Sequence, residues 1–357
     1  MATRRSKAFV DALAIVAPGQ PLREGLDRVV KASMGALIVV GDGPEVLNIC
    51  SGGFLLDAAF SPQRLSELAK TDGAIILAPD ASRIARANVH LVPNPNTPTT
   101  ETGTRHRTAE RVARSIGVPV ISVSEDMAVL TVYMHDEKHQ LETIPAVLSR
   151  CNQALQTLER YKNRLNEVAS NLATLEVEDL VTVRDVVTVL QRTELVVRIS
   201  EEIERYLVEL GTDGRLVRLQ LRELMAGVED DRKLLLLDYF QSDRAWNLDQ
   251  AMEALSDLEM EELLEPESVR EAFHLSGVAN EDDSTLSPRG YRMLAKVPRL
   301  PDPVCTSIVD HFGTLERLMR ATPEEIAAVD GVDDGWARTV KDSLSHIAES
   351  SILDRYT

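Results

Sequence analysis

At Leu141 the periodicity of the chain changes, and that change limits the folds open to it. Upstream, short apolar runs alternate with amphipathic segments; downstream the spacing is almost purely helical. Pro21 to Ala32 and Pro62 to Lys70 read as helices, Ala36 to Val40 and Ala74 to Leu77 as buried strands. Arg83 to Asn88 and Arg105 to Ile116 read as helical, with strands following at Val118 to Val123 and Ala128 to Tyr133. Such alternation predicts an α/β domain with a central mixed sheet over 1–141. Downstream, Leu148, Cys151, Leu155, Leu158, Lys162, Leu165, Ala169 and Leu172 keep heptad spacing, the seam of a packed or coiled helix. Leu180, Val183, Val187 and Leu190 continue it, as do Ile199, Ile203, Tyr206, Leu207 and Leu210, until GTDG (Gly211 to Gly214) breaks the chain. An all-α spacer is therefore expected over 142–288. The proline-punctuated SPRGYRMLAKVPRLPDP opens a third region, 289–357, of short helices at Val304 to Phe312, Leu315 to Arg320, Pro323 to Val329 and Gly335 to Ile347.

Composition excludes several classes. The 357 residues are 44% hydrophobic but only 4% aromatic, enough for two or three ordinary cores. The longest apolar runs, such as ALIVV and AIILA, fall far short of the ~20 residues that span a bilayer, so no membrane passage is expected. MATRRSKAFVDALAIV meets Asp11 and Pro18 before any long apolar stretch, unlike a signal peptide; the cytoplasm is the expected compartment. Cys50, Cys151 and Cys305 are odd in number and far apart, which argues for buried thiols rather than a disulfide framework. The seven histidines show no paired metal-ligand spacing, against a structural zinc site. With a formal net charge of -18, any nucleic-acid contact must be local.

Three short stretches carry chemistry. GTRHRTAER (Gly103 to Arg111) sets Arg105, His106 and Arg107 in the first turn of an amphipathic helix, where the macrodipole disfavours cations unless an anion is there to meet them. Arginine forks, threonine hydroxyls and helix-terminal amides together make a polyphosphate grip. No GxxxxGK[ST] loop or kinase set accompanies it. TDGA (Thr71 to Ala74) puts a carboxylate at a strand entrance, with a glycine that lets a ligand approach the backbone. In SVSED (Ser122 to Asp126), Glu125 and Asp126 end a buried strand and are candidate metal-facing acids. The Pro- and Thr-rich LVPNPNTPTTETG leads into RHR as an ordered loop. Near the end, VDGVDDG (Val329 to Gly335) joins two short helices by a glycine turn, whose amides can take a phosphate without reading sequence. This is similar to a helix-hairpin-helix, with Gly331, Val332 and Gly335 as DNA contacts, although Asp333 and Asp334 stand where carboxylates repel phosphate.

Together, DGA followed by GTRHRTAER, with the TETG lead-in and SVSE, resembles the diadenylate cyclase family, and the spacer and terminal module narrow the likeness to its octameric, DNA-sensing branch. The resemblance implies condensation of two ATP to cyclic di-AMP and two pyrophosphates, with Mg²⁺ or Mn²⁺. It implies that Asp72 binds metal and helps activate the ribose 3'-hydroxyl, with Glu125 as a second metal-facing acid. Gly73, Ala74 and Leu91 would lie against the adenosine, Thr104, Arg105, His106, Arg107 and Thr108 would hold the phosphates, and Ser124 would join the ATP site. It further implies a homo-octamer with cyclase domains face to face, and control by branched DNA such as Holliday junctions as part of a DNA-damage checkpoint. Two other classes remain at this point: a catalytically silent DNA-binding scaffold, and an ATP hydrolase or adenylyltransferase to another acceptor.

Overall fold

The computed structural model describes residues 5–240, 247–273 and 284–354; the first four residues of the N-terminal stretch weighed above therefore lie outside it. Two compact units divide the chain, Met1–Ala154 with Glu202–Gln220, and Leu155–Glu201 with Leu221–Thr357.

The first unit runs α1 (Lys7–Ile15), α2 (Pro21–Lys31), β1 (Ala36–Val40), α3 (Pro44–Asn48), β2 (Cys50–Ser51), β3 (Phe54–Ala59), α4 (Pro62–Leu68), β4 (Ala74–Leu77), β5 (Arg83–Leu91), α5 (Thr104–Ile116), β6 (Val120–Val123), β7 (Leu130–Met134) and β8 (Glu137–Gln140). The strands form one mixed sheet in the order β2-β5-β4-β1-β6-β7-β8, with β3 also on β5. β1 runs parallel to β4 and antiparallel to β6. Every residue of β1 and β4 is buried, as expected of central strands covered on both faces. The pleat sorts them: Ile38, Val40, Ile75, Leu77 and Ile121 face Leu13, Leu26 and Leu65 of α1, α2 and α4. Leu37, Val39, Ala74, Ile76 and Tyr133 face Ala109, Val112 and Ala113 of α5.

The stretch Arg83 to Asn88, expected to be helical, is the start of β5. Over its full length Ile84, Ala85, Ala87, Val89 and Leu91 are buried, while Arg86, Asn88 and His90 are less so. That two-residue period emerges only when the window extends past Asn88. β3 was not expected at all. Its Phe54 and Leu55 are 64% and 72% exposed, so no burial rhythm marks it.

The remaining helices are α6 (Ile144–Glu178), α7 (Val183–Leu210), α8 (Arg215–Met225), α9 (Val228–Tyr239), α10 (Leu248–Asp257), α11 (Met260–Leu264), α12 (Pro266–Ala272), α13 (Tyr291–Leu294), α14 (Asp302–Phe312), α15 (Leu315–Arg320), α16 (Pro323–Ala327) and α17 (Asp334–Asp354). The heptad residues Cys151, Leu155, Leu158, Leu165 and Leu172 are buried along α6. Leu180 leaves the pattern: it is 56% exposed, next to Asp179 at φ 54°, in the break between α6 and α7. GTDG breaks the helical run as expected, turning as a short 3-10 helix between α7 and α8. In the second unit Asp238 of α9 accepts from the amides of Gly290, Tyr291 and Arg292 at 2.7, 2.6 and 2.9 Å. Arg292 and the Tyr239 hydroxyl both donate to Glu176 of α6. Burial pushes the Asp238 carboxyl up to about 6. This polar knot ties spacer helices to the start of the terminal module, whose core is Leu294, Ile308, Leu315, Leu318, Ile326 and Val340. All three cysteines are free; Cys151 is buried, whereas Cys50 and Cys305 are only half-buried.

Candidate active site

Strand register gathers the predicted residues at one end of the sheet. Leu37 pairs with Ala74, Ala36 with Val123, and Ala74 with Val89. Hence the entrances of β1 and β4, at Gly35 and Asp72–Gly73, lie beside the exits of β5 and β6, at Leu91 and Ser124. Gly73 has φ +95°, and a Cβ there would stand 2.9 Å from the Asn88 carbonyl carbon and from Val89 N and O. Only glycine fits so close to a neighbouring backbone in that conformation. Asp72 beside it is exposed and has no hydrogen-bond partner among the described residues. Ala74 and Leu91 are 1% and 6% exposed, so each is a wall of the sheet end more than a free contact.

α5 aims its N-terminus at this edge. Its N-cap Gly103 supplies no side-chain cap, and no acid stands in its first turn, leaving unpaired amides for an anion. The Arg105 guanidinium lies across Gly35, where a Cβ would come within 2.0 Å of Nη1, and donates to the Val123 carbonyl at 3.4 Å. Arg107 is exposed and leans to the Glu101 and Thr102 carbonyls at 3.4 and 3.5 Å. Thr104 is exposed. The Thr108 hydroxyl donates back to Thr104 O at 2.9 Å, so its proton is engaged within the helix.

The TETG loop is held on α5 by the residues after the motif. Arg111 donates to Thr97 O at 3.0 Å and Arg114 to Pro98 O at 2.8 Å. Glu110, 4% exposed, accepts from the Thr99 hydroxyl and the Thr100 amide. Burial pushes the Glu110 carboxyl up, but those hydrogen bonds and Arg114 outweigh it and leave it below the ordinary value. The loop thereby fixes Glu101 near Tyr133 and Lys138. His106 Nδ1 is 2.8 Å from the Tyr133 hydroxyl. Burial lowers the His106 pKa, with Arg105 and Lys138 acting the same way against Glu101. Burial, then the Glu101 charge, raises that of Tyr133.

Ser124 closes the β6–β7 turn, its amide donating to Val129 O at 2.9 Å and its Oγ accepting from Met127 N at 3.4 Å. Glu125 is exposed in that turn. Among the described residues no group of three or more His, Cys, Asp or Glu could hold a metal. A Mg²⁺-type ion does not need one, since a carboxylate or two and substrate phosphates suffice. Asp72 and Glu125, both exposed and without a protein partner among the described residues, suit that donor set. Sequence reasoning missed Gly35, Tyr133, Glu101 and Lys138. Gly35 had a signal, a glycine directly before an apolar run as at Gly73; the other three come together only in space.

The terminal hairpin is formed as expected. Gly331 has φ +82°, and α17 starts at Asp334, with Gly335 in its first turn. The Val332 side chain is buried at 8%, and its amide donates to Val329 O at 3.1 Å. The N-terminus of α17 is already capped: Asp333 Oδ1 accepts from the Trp336 amide at 2.7 Å, and a Cβ on Gly335 would lie 3.1 Å from that same oxygen.

Residues 23–138 match a family model described as DisA bacterial checkpoint controller nucleotide-binding, and residues 141–281 match one described as the DisA bacterial checkpoint controller linker region. Proteins named DNA integrity scanning protein DisA from Parafrankia sp., Frankia alni and Streptomyces coelicolor are 55%, 54% and 52% identical to the chain. The alignments cover 98%, 98% and 96% of this chain and 97%, 97% and 93% of those proteins.

Proposed function

Because the chain belongs to the DNA integrity scanning protein family, we propose that it is a diadenylate cyclase, condensing two ATP into cyclic di-AMP and two pyrophosphates under the control of branched DNA. The observation that carries this reading is the uncapped, basic first turn of α5 laid against the sheet end that bears Asp72 and Gly73. Gly73, which presents no side chain, and Leu91 give the wall of the sheet end against which an adenosine rests. Arg105, His106, Arg107 and the α5 amides bind the triphosphate and oppose the charge that develops on the α-phosphate. The 3'-oxygen of one ATP attacks the α-phosphorus of the other, the bond to the β-phosphate oxygen breaks, and pyrophosphate leaves in line. Asp72 takes up the hydroxyl proton. Asp72, with Glu125 as a second acid, would hold Mg²⁺ or Mn²⁺, which would supply charge neutralisation at the phosphates.

The product is symmetric, so each ATP is both nucleophile and electrophile, and one site per chain suffices only if two chains face each other. Exposed apolar side chains support such a contact: Phe54, Val92 and Met127 are 64%, 56% and 66% exposed and flank the same sheet end. A homo-octamer multiplies this pairing. The Gly331–Gly335 hairpin is the DNA contact, and a Holliday junction, which offers phosphates to several hairpins at once, fits a weak single module. Among the described residues no helix is long and apolar enough to cross a membrane, and we place the protein in the cytoplasm.

The test is mass spectrometry of the products after incubation with ATP and Mg²⁺ or Mn²⁺, with Asp72→Asn alongside. Cyclic di-AMP and pyrophosphate from the wild type alone are expected. ADP as product, or equal synthesis by Asp72→Asn, would remove the cyclase assignment or the role of Asp72.

A further inference from the structure

Behind the first turn of α5 stands a hydrogen-bonded chain that the RHR motif does not announce. The Tyr133 hydroxyl lies 2.8 Å from His106 Nδ1 and 3.1 Å from Glu101 Oε1. Lys138 Nζ closes on the same carboxylate oxygen at 3.0 Å and on Thr100 Oγ1 at 3.3 Å. A phenol has one proton to donate, and an ionised carboxylate only accepts. The Tyr133 proton therefore goes to Glu101, and its lone pair accepts from His106 Nδ1–H. The second ring nitrogen, Nε2, has no partner among the described residues. The tyrosine is 1% exposed, anchored on β7 among Val120, Val112 and Ala113, and Glu101 sits on the loop stapled to α5 by Glu110. Both ends of the chain are thus fixed by the fold.

We propose that Tyr133 and Glu101 are positioning residues for His106, holding its ring with the proton on Nδ1 so that Nε2 meets a phosphate oxygen of bound ATP and there becomes protonated. This rests on the cyclase reading above. The groups facing the imidazole are Glu101 from the loop, Arg105 from α5 itself, Tyr133 from β7 and Lys138 from β8. In the empty site burial and the two cations, against Glu101, bias the ring toward its neutral form. A triphosphate brings negative charge, which favours the imidazolium. One proton is then taken from solvent onto Nε2, where it is donated to the phosphate, while Nδ1–H, the Tyr133 hydroxyl and the Glu101 carboxylate stabilise the charge behind it. The ring thereby adds a cation to the grip only when the ligand is present.

The probe is 3'-deoxy-ATP, which lacks the attacking hydroxyl, titrated calorimetrically into the full chain across pH. Wild-type affinity is expected to fall as pH rises through the pKa of the bound histidine. Tyr133→Phe keeps the buried ring but removes the relay. It should weaken binding ~10-fold, the effect of one charge-assisted hydrogen bond, and move the fall to lower pH. Glu101→Gln should act in the same direction, and serves if Tyr133→Phe does not fold. In a His106→Ala background neither substitution should matter; an equal loss with and without His106 would make them mere packing residues and overturn the proposal. The relay also has a readout that needs no ligand. Nitrogen-15 shifts of the wild-type His106 ring should show a protonated Nδ1 and a bare Nε2, and the opposite tautomer would overturn it even if the cyclase assignment stood. Absence of 3'-deoxy-ATP binding with the expected tautomer would instead fault the cyclase reading.

Discussion

Gly35 and Gly73 stand at neighbouring strand entrances and do different work there. A Cβ at Gly73 would meet backbone atoms of β5 at 2.9 Å, and the residue sits at φ +95°. Backbone cannot step aside as a side chain does, so Gly73→Ala must shift β5 or β4. We expect a stability loss of about 1–3 kcal/mol, seen as a lower urea midpoint, together with lost cyclic di-AMP synthesis. At Gly35 the obstacle is the guanidinium of Arg105, the free end of a flexible chain. Gly35→Ala should therefore leave the midpoint nearly unchanged while displacing Arg105 and raising the KM for ATP. Gly43→Ala, where nothing lies within 4 Å and φ is not positive, is the control that should leave the KM for ATP unchanged, with only the small stability loss of an alanine at the N-cap of α3. Equal losses of stability at 35 and 73 would mean that Arg105 is as rigid as backbone and is no adaptable phosphate ligand.

Two helix N-termini in this chain are candidates for phosphate, and their caps differ. α5 begins after a glycine without a side-chain cap, whereas α17 begins under the carboxylate of Asp333. An aspartate cap satisfies the helix as well as a serine would, but it puts a negative charge over the amides that a DNA phosphate needs. Asp333→Asn keeps the cap and removes the charge. It should tighten binding of a four-way junction roughly two- to fivefold at low salt, the scale of one charge at a helix end, and fluorescence anisotropy would measure it. No change would mean that DNA is gripped elsewhere. How far these elements were legible follows from their burial. β4 and α5 announced themselves because their apolar period is set by a core face, and DGA and RHR because charge stands where helix or strand physics disfavours it. β5 was misread as helix when its alternation was cut at Asn88, and β3 was missed because its apolar residues face outward and obey no core. The Glu101–Tyr133–His106 chain was illegible for another reason. It joins a loop, a strand and a helix whose closeness depends on the sheet order β1-β6-β7, which no local spacing encodes.

At the scale of the whole molecule the decisive question is stoichiometric. The sheet end that carries Asp72 and the α5 terminus gathers one set of acid, glycine wall and basic grip, and a cyclic dinucleotide needs two attacks by two 3'-hydroxyls. If each half-site activates one of them, a pair containing one dead half makes the first bond but cannot close the ring. Cyclic product should then follow the square of the active fraction, not the fraction itself. Asp72→Asn is the right dead half, since it leaves Gly73, Arg105 and the exposed Phe54, Val92 and Met127 in place for pairing. Wild type and Asp72→Asn, co-expressed with different tags and mixed at equal amounts, should give about one quarter of the wild-type rate of cyclic di-AMP formation per chain. The missing product should accumulate as the linear dinucleotide bearing a 5'-triphosphate. Phe54→Asp should abolish both species by separating the halves, and size-exclusion chromatography would register the smaller assembly. A rate of one half, with no linear species, would mean that one chain completes both bonds alone, and the face-to-face arrangement would lose its mechanistic ground.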